Sequence, residues 1–210
     1  MESMEDKVLS GIRKARKGVL FFTEDFVHLG TGKAVAKALE RLVNAHEITR
    51  VARGIYARLE TDPVFGPVKP GAEDIAKAIG RRDRARIVPT GAAAMNALGL
   101  STQVPVNPVY LTDGTARKIS LGRRRIVFKK ASPKSLSAKG RISGLAIQAM
   151  KEIGREGITD RDVRVILDHL SKEDPKHLEH DIRLAPEWIR KIMRMALEKQ
   201  RRDGSMALLG

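Results

Sequence analysis

Lys33, Lys37 and Arg41 recur at spacings of four, directly behind Thr31 and Gly32. On a helix that spacing sets three cations along one side, about a turn apart. Small residues at the helix start let backbone approach a ligand closely, and cations further along suit phosphate. Arg50 and Arg53 follow inside a short alternating stretch. Two denser basic runs come later. One is Arg81, Arg82, Arg84 and Arg86 around Asp83; the other is Arg123, Arg124 and Arg125 followed by Lys129 and Lys130. Each run reads either as a solvated basic surface or as a second nucleic-acid surface. Alternation over 123–130 puts Arg124, Ile126 and Phe128 on one strand face and Arg123, Arg125, Val127 and Lys129 on the other. A strand exposing such a basic edge tracks phosphates without reading sequence.

The overall charge favours this chemistry. The chain has 210 residues, with 40 Lys+Arg against 25 Asp+Glu, a net charge of +15. Residues 59–139 carry +9 of that excess, and the last third is nearly balanced. A charge of this size concentrates polyanions, and nucleic acid is the first candidate partner. Aromatic residues make up only 4%, which argues against single-strand binding by base stacking. The chain has no cysteine, which excludes disulfides and thiolate chemistry and fits a cytoplasmic protein. No apolar run approaches the ~18 residues of a membrane span. The acidic start does not resemble a secretory signal.

Other chemistries fit poorly. Gly30-Thr31-Gly32-Lys33 resembles the end of a phosphate-binding loop, but Val27 and Ala34 stand where that loop needs glycine and a hydroxyl. His177 and His180, with His169 and Asp181 near, have helical spacing, yet ordinary exposed histidines are commoner than a metal site. No carboxylate set matches a catalytic motif. Thr90-Gly91 at a helix start reads as a plain cap more readily than as an anion site. No cofactor, no metal and no enzymatic activity are expected.

The elements that must position the basic residues can be read from periodicity. Residues 4–17 form a helix, and Val19–Phe22 is an apolar bridge. Thr23 caps a short helix that Gly30 closes. Thr31 caps the next helix, whose apolar stripe is Val35, Ala38, Leu39 and Leu42. Residues 47–57 form a hairpin around Arg53-Gly54. This order is that of a winged helix-turn-helix. Pro63, Gly66, Pro67, Pro70 and Gly71 mark a linker. Beyond it lie a helix at 73–80, strands near 86–88, 108–112, 117–120 and 124–130, a small-residue helix at 91–98, and helices at 140–153, 159–170, 176–183 and 186–202. The fold class is α/β (α+β): a winged helix over 1–59, a linker at 60–72, and a mixed α/β domain over 73–205 ending in helices.

The segments Phe21–Phe26, Ala38–Leu42 and Glu47–Tyr56, the last ending Ile48-Thr49-Arg50-Val51-Ala52-Arg53-Gly54-Ile55-Tyr56, resemble the N-terminal winged helix of the abortive-infection antitoxins. These are the regulators of type IV toxin–antitoxin systems. Pro89–Gln103 and Ile126–Lys129 resemble the second domain of that family's larger members. The likeness covers roughly residues 5–135. It implies an antitoxin that binds inverted repeats in its own promoter as two copies and represses its operon. It also implies a nucleotidyltransferase-like toxin as functional partner, countered without a stable complex. The expected double-stranded DNA contacts are Thr31, Lys33, Lys37 and Arg41 on the recognition helix and Arg50 and Arg53 on the wing. The alternative is an RNA- or toxin-binding protein that uses the winged helix as an interaction module.

Overall fold

The computed structural model describes residues 2–207. Among them the chain is mixed α/β and divides into two compact units. The first holds the chain up to Ile79 together with Ile119–Arg124; the second holds Gly80–Lys118 and the described residues from Arg125 onward.

The first unit begins with α1 (Met4–Lys14), whose start is closed by a reciprocal cap. The Asp6 N–H donates to Ser3 Oγ at 3.1 Å, and the Ser3 hydroxyl and N–H donate back to the Asp6 carboxylate. Those two donors hold the Asp6 carboxyl below its ordinary pKa, the Ser3 hydroxyl contributing most. Val8 and Ile12, one turn apart, are fully buried. The helix ends three residues short of the expected Lys17.

The apolar bridge at 19–22 is in fact strand β1 (Leu20–Phe22), and a 3-10 helix spans Thr23–Leu29. Its start is closed at Phe22, not Thr23: the Phe22 N–H donates to the Asp25 carboxylate at 2.8 Å. Thr31 caps α2 (Gly32–Asn44) as expected, accepting the Ala34 N–H at 3.3 Å. Val35, Ala38, Leu39 and Leu42 are the buried stripe. They join Val8, Ile12, Phe26, Ile48 and Tyr56 in one core. The hairpin is β2 (Thr49–Ala52) and β3 (Ile55–Ala57), with β3 at the centre between β1 and β2. Register shifts between Arg50 and Ala52, and Gly54 turns the hairpin at φ +73°. The element order expected for a winged helix is therefore present, with a third strand that the hydrophobic pattern did not reveal.

Residues 60–72, expected as a linker, carry a small antiparallel ribbon, β4 (Glu60–Asp62) and β5 (Gly66–Val68). The breakers there shape its turn. The Asp62 carboxylate accepts the Val64 and Phe65 N–H groups at 2.8 and 2.9 Å. Helix α3 (Ala72–Asp83) follows and buries Ile75, Ala76 and Ile79.

After α3, β6 (Ile87–Pro89), β7 (Val109–Thr112), β8 (Arg117–Leu121) and β9 (Arg124–Lys130) form a sheet in the order β6-β7-β9-β8. Its outer strands are β6 and β8. The pair β7/β9 is parallel, Tyr110 opposite Phe128. Helix α4 (Ala92–Ala97) lies between β6 and β7 in sequence. The chain finishes with α5 (Arg141–Ile153), α6 (Asp160–Leu170), α7 (Pro175–Ile182) and α8 (Glu187–Ala207). Their core includes Leu98, Met150, Ile166, Leu170, Leu178, Ile189 and Met193. The middle of α5 is buried, from Ser143 to Met150. No helix among the described residues is long and apolar enough to cross a membrane.

Candidate nucleic-acid interface

The burial of α2 along one stripe forces its cations to the opposite side. Thr31, Lys33, Lys37 and Arg41 are all exposed. Lys33 and Lys37 stand one turn apart, about 6 Å along the axis. Neither has an acidic partner among the described residues, and the first turn of α2 contains no carboxylate. Arg41 is different. Its guanidinium is ion-paired and hydrogen-bonded to Glu5 at the start of α1. The expected row of three free cations is thus a row of two plus a cation already neutralised. Arg13 and Glu47 make a similar pair at 2.9 Å. Both are surface pairs, which usually contribute little to stability. Their effect here is to mark which cations are committed.

The hairpin adds two more exposed cations. Arg50 projects from β2, opposite Tyr56, and Arg53 sits in the turn beside Gly54. Lys33, Lys37, Arg50 and Arg53 therefore all lie in the first unit with their charges open to solvent.

The later basic runs are less uniform than their sequence suggests. Arg82 donates to Asp83 at 2.8 Å, and Arg117 pairs with the same carboxylate. The Arg86 N–H donates to Asp113 at 2.8 Å, and its guanidinium donates to the Leu136 carbonyl at 3.2 Å. Among the described residues, only Arg81 and Arg84 of that run are exposed without such ties. Arg123 and Arg124 belong to the first unit, whereas Arg125, Lys129 and Lys130 belong to the second. The expected basic edge does not exist, because β9 lies inside the sheet, between β7 and β8. The face alternation holds in its middle: Ile126 and Phe128 are buried, while Arg124, Arg125, Lys129 and Lys130 are exposed.

The carboxylates near the histidines and near Thr90-Gly91 have partners or neighbours within the fold. No group of three or more His, Asp or Glu suited to a metal occurs among the described residues. Asp181, beside His180, is fully buried and serves the start of α5. Its carboxyl oxygens accept the Lys139 and Gly140 N–H groups at 2.9 and 2.8 Å, and also the Ser143 hydroxyl. Glu173 accepts the Ile142 and Ser143 N–H groups at 2.7 and 3.1 Å. A Cβ at Gly140 would come within 2.3 Å of Glu173, so the approach requires glycine. These two carboxylates escaped the sequence because they are 30 to 42 residues from the donors they serve. At Thr90-Gly91 the helix that follows has six residues, and the Glu152 carboxylate lies 3.0 Å from where a Gly91 Cβ would be. The protein's own carboxylate stands there.

The family model for DUF6088, described as a family of unknown function, matches residues 7–178. The chain belongs to that family. No curated protein matches it. Among solved structures it is similar to the crystal structure of RV2827C protein from Mycobacterium tuberculosis, at 14% identity and a TM-score of 0.41. That similarity covers 94% of this chain and 81% of the other.

Proposed function

We propose that this member of the DUF6088 family is a double-stranded DNA-binding autorepressor and the antitoxin of a type IV toxin–antitoxin operon. The observation that supports it best is the exposed set Lys33, Lys37, Arg50 and Arg53. A helix and the hairpin after it each present cations with no ion pair among the described residues, the arrangement by which such a fold places one element in a major groove and another on adjacent backbone. The antitoxin role, the nucleotidyltransferase-like toxin and the inverted-repeat operator rest on the resemblance carried by Phe21–Tyr56 and Pro89–Gln103.

The test is gel-shift binding to the DNA upstream of its own gene, with scrambled competitor. Saturable binding that survives competitor is expected. Lys37→Ala is expected to weaken it by about 1–3 kcal/mol if the residue reads a base. Arg53→Ala should weaken upstream and scrambled DNA alike, as loss of a phosphate contact does. Arg41→Ala should have the smallest effect of the three, because Glu5 already holds its charge. Unchanged affinity in Lys37→Ala and Arg53→Ala would place the interface elsewhere.

A second reading, a protein-interaction module, draws on the ribbon β4/β5, whose tip exposes Val64 and Phe65 at 80% and 87%. Tight copurification of toxin with no DNA footprint would favour it.

A further inference from the structure

Tyr110 and Phe128, paired across β7 and β9, are buried on one face of the four-stranded sheet. Ile126 shares their face of β9. The Arg117 guanidinium lies 5.7 Å from the centre of the Phe128 ring, which puts Arg117 on that face as well. Lys118, next along β8, consequently points to the other side. Arg125 and Lys129 alternate with Ile126 and Phe128 and lie on that side too. The strands β7, β8 and β9 contain no acidic residue. Lys118, Arg125 and Lys129 are exposed and have no ion pair among the described residues.

The face continues beyond the sheet's centre. Val88, Leu111 and Lys129 are direct partners across β6, β7 and β9, so they form one row. Val88 lines a narrow cleft with Lys134, with Lys151 and Gln148 of α5 and with the buried Gly144 and Ile147 of that helix, and no carboxylate lines it. Lys134 and Lys151 are exposed. Five cations thus stand on one side of the second unit. Arg125 and Lys129 are about 13 Å apart along β9. That distance equals the axial rise of about four nucleotides of one strand. The sheet's aromatic rings are turned inward, so this side has no platform for stacking unpaired bases.

We infer that this side, formed by Lys118, Arg125, Lys129, Lys134 and Lys151, is a second contact for the phosphate backbone of duplex DNA. It holds the backbone without reading sequence. The inference rests on the DNA-binding reading above for the identity of the duplex, but it involves none of the α2 or hairpin residues.

The test uses the full chain and an arbitrary-sequence duplex, with affinity measured over a series of salt concentrations. The variant combines Lys118→Gln, Arg125→Gln and Lys129→Gln, all at exposed positions, with thermal melting as the check of folding. Each lost phosphate contact reduces the slope of log affinity against log salt by about 0.9, so a reduction of about 2 to 3 is expected. The affinity loss should be equal for the upstream DNA and the arbitrary duplex. An unchanged slope in a folded variant overturns the inference. It is also overturned if single-stranded RNA displaces the duplex and the variant loses RNA binding more than duplex binding. Lys37→Ala and Arg53→Ala test the operator reading separately, since their effect on upstream DNA does not depend on this face.

Discussion

At the start of α2, one hydroxyl oxygen of Thr31 meets one backbone N–H. At the start of α5, two carboxyl groups from later in the chain, Glu173 and Asp181, meet four. A helix start concentrates free N–H donors and the positive end of the helix dipole, and an anion there is stabilising. In α5 the protein supplies its own anions and buries them. In α2 it supplies none and leaves the end in solvent, with Lys33 and Lys37 beside it. The two ends have the same need and differ in who meets it. One end is finished as part of a core, and the other lies in solvent with a single side-chain cap.

The energetic contrast should be large. Asp181→Ala leaves the buried Gly140 N–H and the Lys139 N–H without an acceptor and takes one of two acceptors from the Ser143 hydroxyl. The expected loss of stability is about 3 kcal/mol or more, read by urea unfolding. Thr31→Ala removes one cap in solvent and should cost about 1 kcal/mol. Equal losses in the two variants would dissolve the distinction between a closed end and an open one.

Helices α1 and α6 sharpen the contrast from a third position, since each is closed by its own first turn. Thr159 and Asp162 repeat the reciprocal cap of Ser3 and Asp6. The Thr159 hydroxyl, foremost, holds the Asp162 carboxyl below its ordinary pKa near 3.8. A carboxylate lowered in the folded state adds stability above its unfolded pKa and loses it as pH falls through the folded one. The smallest expected effect follows from this. The gap in urea midpoint between wild type and Thr159→Ala should be present at pH 7 and close as pH falls below 3.8. A gap that persists at acid pH would mean that the hydroxyl's own bond to the Asp162 N–H carries the cap.

Local signals were readable and distant pairings were not. The start of α2 was legible because Thr31, the glycines around it and the stripe Val35–Leu42 act within a few residues. The strand β1 was not, because Leu20–Phe22 has too few residues to show a period, and its partner β3 lies 35 residues on. The ribbon at 60–68 was hidden by the prolines and glycine that shape its turn. From sequence alone Arg123–Lys130 reads as an edge, because sheet order depends on which strands meet and the parallel pairing of β9 with β7 leaves no mark in either segment. The loss of Arg41 from the free cations depends on Glu5, 36 residues earlier. Charge runs therefore gave the kind of surface, and only the pairing partners decided which cations remain available to a ligand.

The return of Ile119–Arg124 to the first unit has a consequence for synthesis on the ribosome. The chain passes between its two units three times. The first unit cannot be complete until residue 124 has left the exit tunnel, by which time much of the second unit's sheet has already been made. Neither unit is a contiguous stretch that emerges and folds ahead of the other. A fragment ending in the 60–72 segment would lack both the N-terminal part of α3 and that returning piece, so a single cut there leaves the first unit incomplete.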